Sequence, residues 1–224
     1  MEQGYFITGT DTNAGKTWAT VTLIEYFKNR HKSVVALKPV ASGCDYQNGR
    51  LVNADALLLQ RHASIELAYE VVNPYAYAAP ISPHLAGKQD PADIEVIANC
   101  CQQVKESAQI ILVEGAGGWY SPLNNLEKNS GLAKKLRFPI IVVVGIKLGC
   151  INHALLTCRA IANEGLVCAG WLAVCNDAGT LAPEEIIASL KEMLSPPLLG
   201  VLPYLAEPDF KRLANLLTLD VGCF

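Results

Sequence analysis

The chain has 224 residues, 51% of them hydrophobic and 17% charged, enough apolar side chain for one large buried α/β core. A formal net charge of −3 excludes a global basic field that would gather nucleic acid or an anionic membrane surface, so any anion site must be built locally.

The first predicted strand, 4–8, carries the apolar run Tyr5-Phe6-Ile7-Thr8 into the small-residue loop Gly9-Thr10-Asp11-Thr12-Asn13-Ala14-Gly15-Lys16-Thr17. A helical pattern over 15–30 follows, beginning with Trp18 behind the loop. Strand, glycine-bearing loop and helix are the parts of a phosphate loop: backbone N–H groups and the helix dipole meet the charge of a triphosphate in little space. Lys16 would reach the terminal phosphates and the Thr17 hydroxyl would ligate magnesium, so the stretch Asn13 to Trp18 is the expected ATP or GTP site. The spacing departs from the usual pattern, because Thr10 stands where the loop's first glycine belongs and Gly9 is one residue too early.

A second strand, 33–38, ends in Leu37-Lys38-Pro39-Val40-Ala41-Ser42-Gly43. Lys38 offers a second cation near the γ-phosphate, and Ser42 a hydroxyl for a substrate. The predicted helix 53–62 opens with Asn53-Ala54-Asp55, where Asp55 reads on sequence alone as an acidic residue favoured by the helix dipole. Prolines break the stretch 63–90 into irregular chain. After a helix at 92–107, the strand 109–114 ends in Glu114, followed by Gly115-Ala116-Gly117-Gly118. An acidic strand end of this kind holds magnesium, and the glycines let backbone approach phosphate.

A helix at 129–136 leads to the strand 139–145 and the loop Lys147-Leu148-Gly149-Cys150-Ile151-Asn152-His153, which opens the helix 151–164 and suits a substrate carboxylate. Cys150 and His153 could form a thiolate pair, but Leu148 and Ile151 favour a packed thiol. His31, His62 and His84 have no partners in sequence and receive no role. The strand 167–175 ends in Asn176-Asp177, an amide suited to the edges of adenine, and after a helix at 182–194 the strand 198–202 ends in Pro203-Tyr204-Leu205, apolar surface for a base. A helix at 208–218 closes the pattern. The alternation predicts a single α/β domain over 1–224: a doubly wound, mostly parallel sheet with helices on both faces, its ligands at the strands' carboxyl ends.

Cys44, Cys100, Cys101, Cys150, Cys158, Cys168, Cys175 and Cys223 form no Cys-x-x-Cys pair, and no histidine stands at zinc spacing. They read as reduced, packed thiols. No charged leader with a cleavage site opens the chain, and lysines and glycines interrupt each apolar run before bilayer length. The expectation is a cytoplasmic protein that contacts neither membrane nor nucleic acid.

Taken jointly, the phosphate loop, Lys38 to Gly43, Asn53 to Leu57, Val72-Asn73-Pro74-Tyr75, Val113 to Trp119, Lys147 to Ala154, Asn176-Asp177 and Leu202-Pro203-Tyr204-Leu205-Ala206-Glu207 resemble the dethiobiotin synthetase family, in order and over nearly the whole chain. The resemblance implies a homodimer with its active site at the subunit interface, and diaminopelargonic acid, CO2 and ATP as substrates. A carbamate of the substrate would attack the γ-phosphate, and a second amine would close the resulting carbamic–phosphoric anhydride into a cyclic urea. It implies catalytic roles for Lys38, Lys16 and Thr12, substrate contacts from Ser42, Thr12 and the neighbouring subunit's Gly149-to-Asn152 loop, and magnesium on Thr17, Asp55 and Glu114. Nucleotide contacts would come from the phosphate loop, Asp55, Glu114, Gly115, Ala116, Gly117, Asn176, Asp177, Pro203, Tyr204, Leu205 and Glu207. Ala14, Trp18 and Cys44 depart from the family's usual residues without removing a charged or metal-binding group.

Two rivals share the loop. A partitioning-type ATPase carries an extra lysine near the loop's start, where this chain has Thr10; a basic membrane-touching C-terminal helix is also poorly matched by Lys211 and Arg212 alone. A cofactor amidotransferase would need a glutamine-hydrolysing domain that 224 residues do not accommodate.

Overall fold

A computed structural model describes residues 3–219. In chain order the elements are β1 (Gln3–Gly9), α1 (Lys16–Lys28), β2 (Val34–Leu37), β3 (Val40–Ser42), β4 (Asp45–Gln47), β5 (Arg50–Val52), α2 (Ala54–His62) and α3 (Tyr69–Val72). They continue with β6 (Tyr75–Tyr77), α4 (Pro83–Ala86), α5 (Ile94–Val104), β7 (Ile110–Gly118), α6 (Asn129–Leu136), β8 (Ile140–Gly145) and α7 (Cys150–Asn163). The last four are β9 (Cys168–Val174), α8 (Pro183–Met193), β10 (Leu198–Leu202) and α9 (Phe210–Ala214).

Six strands form the main sheet in the order β10-β9-β8-β1-β7-β2, and each pairing in it is parallel. The strands are apolar at consecutive positions because both faces are covered. Alternate residues diverge: Phe6, Val113 and Val142 join the core under α5, α6, α7 and α8, while Ile7, Leu112 and Val143 join the core under α1, α2 and α9. β1 lies between β7 and β8, so the loop leaving its carboxyl end emerges where the order of strands reverses, the place an open α/β sheet offers a ligand.

The expected strands and helices are present, with differences where tertiary pairing decides. β7 runs past Glu114 to Gly118, with a register shift against β1 between Ile7 and Gly9. The stretch 63–90 holds α3, β6 and α4, and β6 pairs in parallel with β3. β4 and β5 form a hairpin whose turn residues Asn48 and Gly49 both have positive φ, 50° and 85°. This Asn-Gly pair is a hairpin signal that the sequence reading passed over. The expected helix 208–218 shortens to α9, because Leu217 forms an antiparallel bridge with Gly200 and Thr218 N–H donates to Leu199 O at 2.8 Å.

His62, expected to be without a partner, meets Glu25, a buried carboxylate of α1: His62 Nδ1 lies 2.8 Å from Glu25 Oε1, and Lys28 Nζ 3.0 Å from the same oxygen. Burial works against ionisation of Glu25, but the His62 and Lys28 hydrogen bonds outweigh it and hold the carboxyl below its ordinary value of 4.5. A depressed folded-state value contributes stability above the unfolded-state value, and that stability is lost as pH falls through the folded one. The melting temperature of the wild-type protein is therefore expected to drop more steeply below about pH 4.5 than that of Glu25→Gln. Differential scanning calorimetry from pH 7 to 3 checks this, and parallel curves would remove Glu25 from the acid response.

Candidate active site

The loop after β1 is shaped by left-handed residues. Asn13 has φ 60°, and Gly15, which caps α1, has φ 88°. A Cβ on Gly15 would stand 2.6 Å from Val174 Cγ1 at the end of β9, so only glycine fits. No acidic residue occupies the first turn of α1, which leaves the helix's positive end available to an anion. Lys16 folds back so that its Nζ donates to Asp11 O at 3.1 Å. Burial pulls its pKa down to about 8, Glu114 opposing and the neighbouring Lys38 adding to the fall.

Glu114 is fully buried and joins three elements. Its Oε1 accepts from Thr17 Oγ1 at 2.9 Å and from Lys38 Nζ at 2.7 Å, and its Oε2 lies 2.9 Å from Thr20 Oγ1. Lys38 Nζ also donates to Asp55 Oδ2 at 2.7 Å. Burial alone would discharge Lys38, but Glu114 and Asp55 more than reverse this and keep its pKa above the ordinary lysine value. Burial likewise opposes ionisation of Asp55, and Lys38 outweighs it, so the carboxyl stays below its usual range. Asp55 stands in the first turn of α2, whose N-cap Asn53 accepts from Asp55 N–H at 3.1 Å and Ala56 N–H at 3.2 Å.

These groups open on a cavity of about 730 Å³. Thr12, Asn13, Gly15, Lys16, Thr17, Trp18, Lys38, Ser42, Asp55, Glu114, Ala116, Gly117 and Asn176 line it, so most of the sequence-derived site meets in one place. Ser42 Oγ is buried and has no hydrogen-bond partner among the described residues. Pro80, Ile81, Ser82 and Pro83 also line the cavity, from the stretch whose prolines predict irregular chain.

Other expected residues lie elsewhere. Ala14 is packed beneath the loop, and Gly115 is closely backed by Phe6 and Asn129. Asp177, Pro203 and Tyr204 line a separate cavity of about 430 Å³ against α8, Leu205 packs on the core beneath α1, and Glu207 is exposed. Of the expected adenine contacts only Asn176 reaches the first cavity, where its Nδ2 donates to Asn13 O at 2.7 Å and braces the loop. Gly149, Cys150, Ile151 and Asn152 do not line the cavity within one chain. Gly149 caps α7 with φ 89°, and Cys150 is 1% exposed in the core, a packed thiol.

Thr20 and Asn129 were missed. Thr20 lies one turn beyond Thr17 on α1, a spacing that puts both hydroxyls on one face. Asn129 is fully buried, and its Nδ2 donates to Ala116 O at 2.5 Å and Gly118 O at 2.8 Å, pinning the glycine run that lines the cavity. No local pattern marks that contact.

A family model described as an AAA domain matches residues 3–212. The ATP-dependent dethiobiotin synthetase of Cellvibrio japonicus is 46% identical over 207 residues, covering 92% of this chain and 91% of that protein. That of Vibrio cholerae is 39% identical over 222 residues, covering 98% of this chain and 96% of the relative. Among solved structures, the septum site-determining protein MinD of Pyrococcus horikoshii, complexed with Mg-ADP, superimposes with a TM-score of 0.54 at 15% identity, covering 91% of this chain and 82% of that one. The signal recognition particle receptor FtsY of Elizabethkingia anophelis, in complex with GDP, gives 0.61 at 13% identity, covering 98% and 60%. The structural likenesses establish the phosphate-loop fold alone. Identity of 39–46% sustained over more than nine-tenths of the chain goes further, and the chain belongs to the ATP-dependent dethiobiotin synthetase family, the cyclo-ligases of biotin biosynthesis.

Proposed function

We propose that the cavity carries out ATP-dependent ring closure of diaminopelargonic acid with CO2, and that Lys38 is its catalytic centre. The observation that carries this is a buried ammonium 2.7 Å from two carboxylates, in the cavity that phosphate-loop residues also line. An amine of the substrate adds CO2 and loses a proton, giving a carbamate. A carbamate oxygen attacks the γ-phosphorus and the bond to the β–γ bridging oxygen breaks, leaving ADP. The second amine then attacks the carbamic carbon, expels phosphate and closes the cyclic urea.

Carbamate and γ-phosphate are both anions, so their approach needs preorganised positive charge. Lys38 has three N–H donors, of which two are engaged by Asp55 and Glu114, leaving one for an anionic oxygen. Lys16 neutralises the β- and γ-phosphates, Thr12 and Ser42 orient the diamine, and Asn176 contacts the adenine side. Trp18 and the Ala116–Gly117 backbone complete the nucleotide's surroundings.

The Thr17 hydroxyl with the Asp55 and Glu114 carboxylates is a hard-oxygen set that fits magnesium, which takes few protein ligands and keeps waters and phosphate oxygens. When bound there, magnesium supplies charge neutralisation on the phosphates.

The Gly149-to-Asn152 loop serves the site from a second copy in a homodimer, where its N–H groups receive the substrate carboxylate. Support comes from Leu148, 99% exposed beside the loop, and Leu156, 60% exposed on α7, apolar surface suited to burial against another chain. No described helix is long and apolar enough to cross a membrane.

Phosphate release from ATP should require diaminopelargonic acid and bicarbonate together; full release with ATP alone, in a coupled phosphate assay, would return the chain to the switch-type ATPases. Lys38→Ala should lower turnover by about 10²–10³-fold while ATP affinity by calorimetry changes little. Normal turnover in that variant would demote Lys38 to an ion-pairing residue. Leu156→Glu should sediment as a monomer and lose ring closure, and a variant that stays dimeric and active would place the interface elsewhere.

A further inference from the structure

Beside the Lys38–Asp55 pair lies a buried polar chain whose central members, Tyr69 and Asn73, line neither cavity. Tyr69 in α3 is 3% exposed, and its hydroxyl donates to Asn73 Oδ1 at 2.8 Å while accepting from Asn53 N–H at 2.7 Å. Asn73, also 3% exposed, turns its amide the other way: Nδ2 donates to Lys38 O at 2.7 Å and to Tyr75 O at 3.3 Å. Lys38 N–H in turn donates to Val72 O at 2.9 Å, so both main-chain groups of Lys38 are held by the α3 segment. Asn53 is the N-cap of α2, the helix whose first turn carries Asp55. A continuous path of hydrogen bonds thus joins the backbone of Lys38 to the start of the helix bearing its carboxylate partner.

We propose that Tyr69 and Asn73 are positioning residues, whose buried relay locks the first turn of α2, and so Asp55, in register with Lys38 before ligands bind. This rests on the magnesium and carboxylate roles given above to Asp55, and it adds how that carboxylate is placed. The alternative means of placing it are weak. Asp55 has a half-exposed side chain, and an ion pair reaching into solvent does not by itself fix a helix. A tyrosine hydroxyl used in both directions and an amide with both ends engaged leave no buried polar group of the relay idle, the condition under which such a network specifies one geometry. Arg50 stacks its guanidinium 4.7 Å above the Tyr69 ring and pairs with Glu70, so the β4–β5 hairpin covers the relay from outside.

Tyr69→Phe removes only the shared hydroxyl. Tyr26→Phe is the matched control: the Tyr26 hydroxyl also makes two buried bonds, donating to Leu219 O at 2.9 Å and accepting Leu219 N–H at 3.2 Å, on another part of the fold. Hydrogen–deuterium exchange of the ligand-free protein should be several-fold faster over residues 53–57 in Tyr69→Phe and unchanged there in Tyr26→Phe. Calorimetric titration should show Mg-ATP affinity reduced several-fold in Tyr69→Phe, with ATP affinity in excess EDTA unchanged. In an Asp55→Asn background the Tyr69→Phe effect on Mg-ATP should vanish, which general destabilisation would not produce. Asn73→Asp, which replaces the donor to Lys38 O with an acceptor, should act in the same direction. Unaltered exchange over 53–57, or effects that add fully to Asp55→Asn, would overturn the relay. If Asp55→Asn itself left Mg-ATP affinity intact, the role given to Asp55 would fall, and exchange over 53–57 would still decide whether the relay holds the helix.

Discussion

The rest of the structure is arranged around one carboxylate with no access to water. Glu114 ends the apolar part of β7 with none of its surface exposed, and an isolated ion there would be intolerable. What makes it tolerable comes from two other elements, the Lys38 ammonium from the end of β2 and the Thr17 and Thr20 hydroxyls from α1. Removing one partner of a buried pair costs more than the pair contributes, because the other charge is left behind. The cluster therefore ties the ends of β7 and β2 to the phosphate-loop helix, and the loss of one member would leave a buried charge stranded.

The same arrangement explains the electrostatic gradient across the cavity. On the loop side Lys16 is drawn down to about 8 by burial, whereas Lys38, equally buried, is raised by the two carboxylates against it. Two lysines of similar burial thus differ in character because only one has been given anionic neighbours at hydrogen-bonding distance. Pro80, Ile81 and Pro83 line the same cavity, so it combines charged and apolar surface.

Much of this was legible in the sequence because it is local. The phosphate loop is nine consecutive residues, and Lys38 and Glu114 announce themselves as charges closing apolar strands. What was not legible depends on distant pairing. Thr20 lies 94 residues from the carboxylate it meets, and Asn73 lies 35 from the carbonyl it holds. Three-residue strands such as β3 and β6 are too short for alternation to register, and prolines around them point to irregular chain. Pro203 and Tyr204 stand at a strand end that alternation locates, but the course of the loop beyond it, which brings both to the second cavity, has no local signature. Asp55 is intermediate, since an acidic residue in a first turn is ordinary and only its 2.7 Å approach to Lys38 singles it out.

The strand order has a consequence for how the chain is made. Among the described residues β1 pairs with β7 and β8, and β2 with β7, so neither strand has a neighbour in the main sheet until residue 110 has been translated. Thr17 after the phosphate loop meets Glu114, and Gly15 lies close to Val174, so the loop's surroundings are complete only after β7 and β9 have been made. Pairing at such separation makes for slow folding and a long interval in which apolar strands lack partners. On the ribosome, the loop therefore waits for a carboxylate made 97 residues after the threonine it meets.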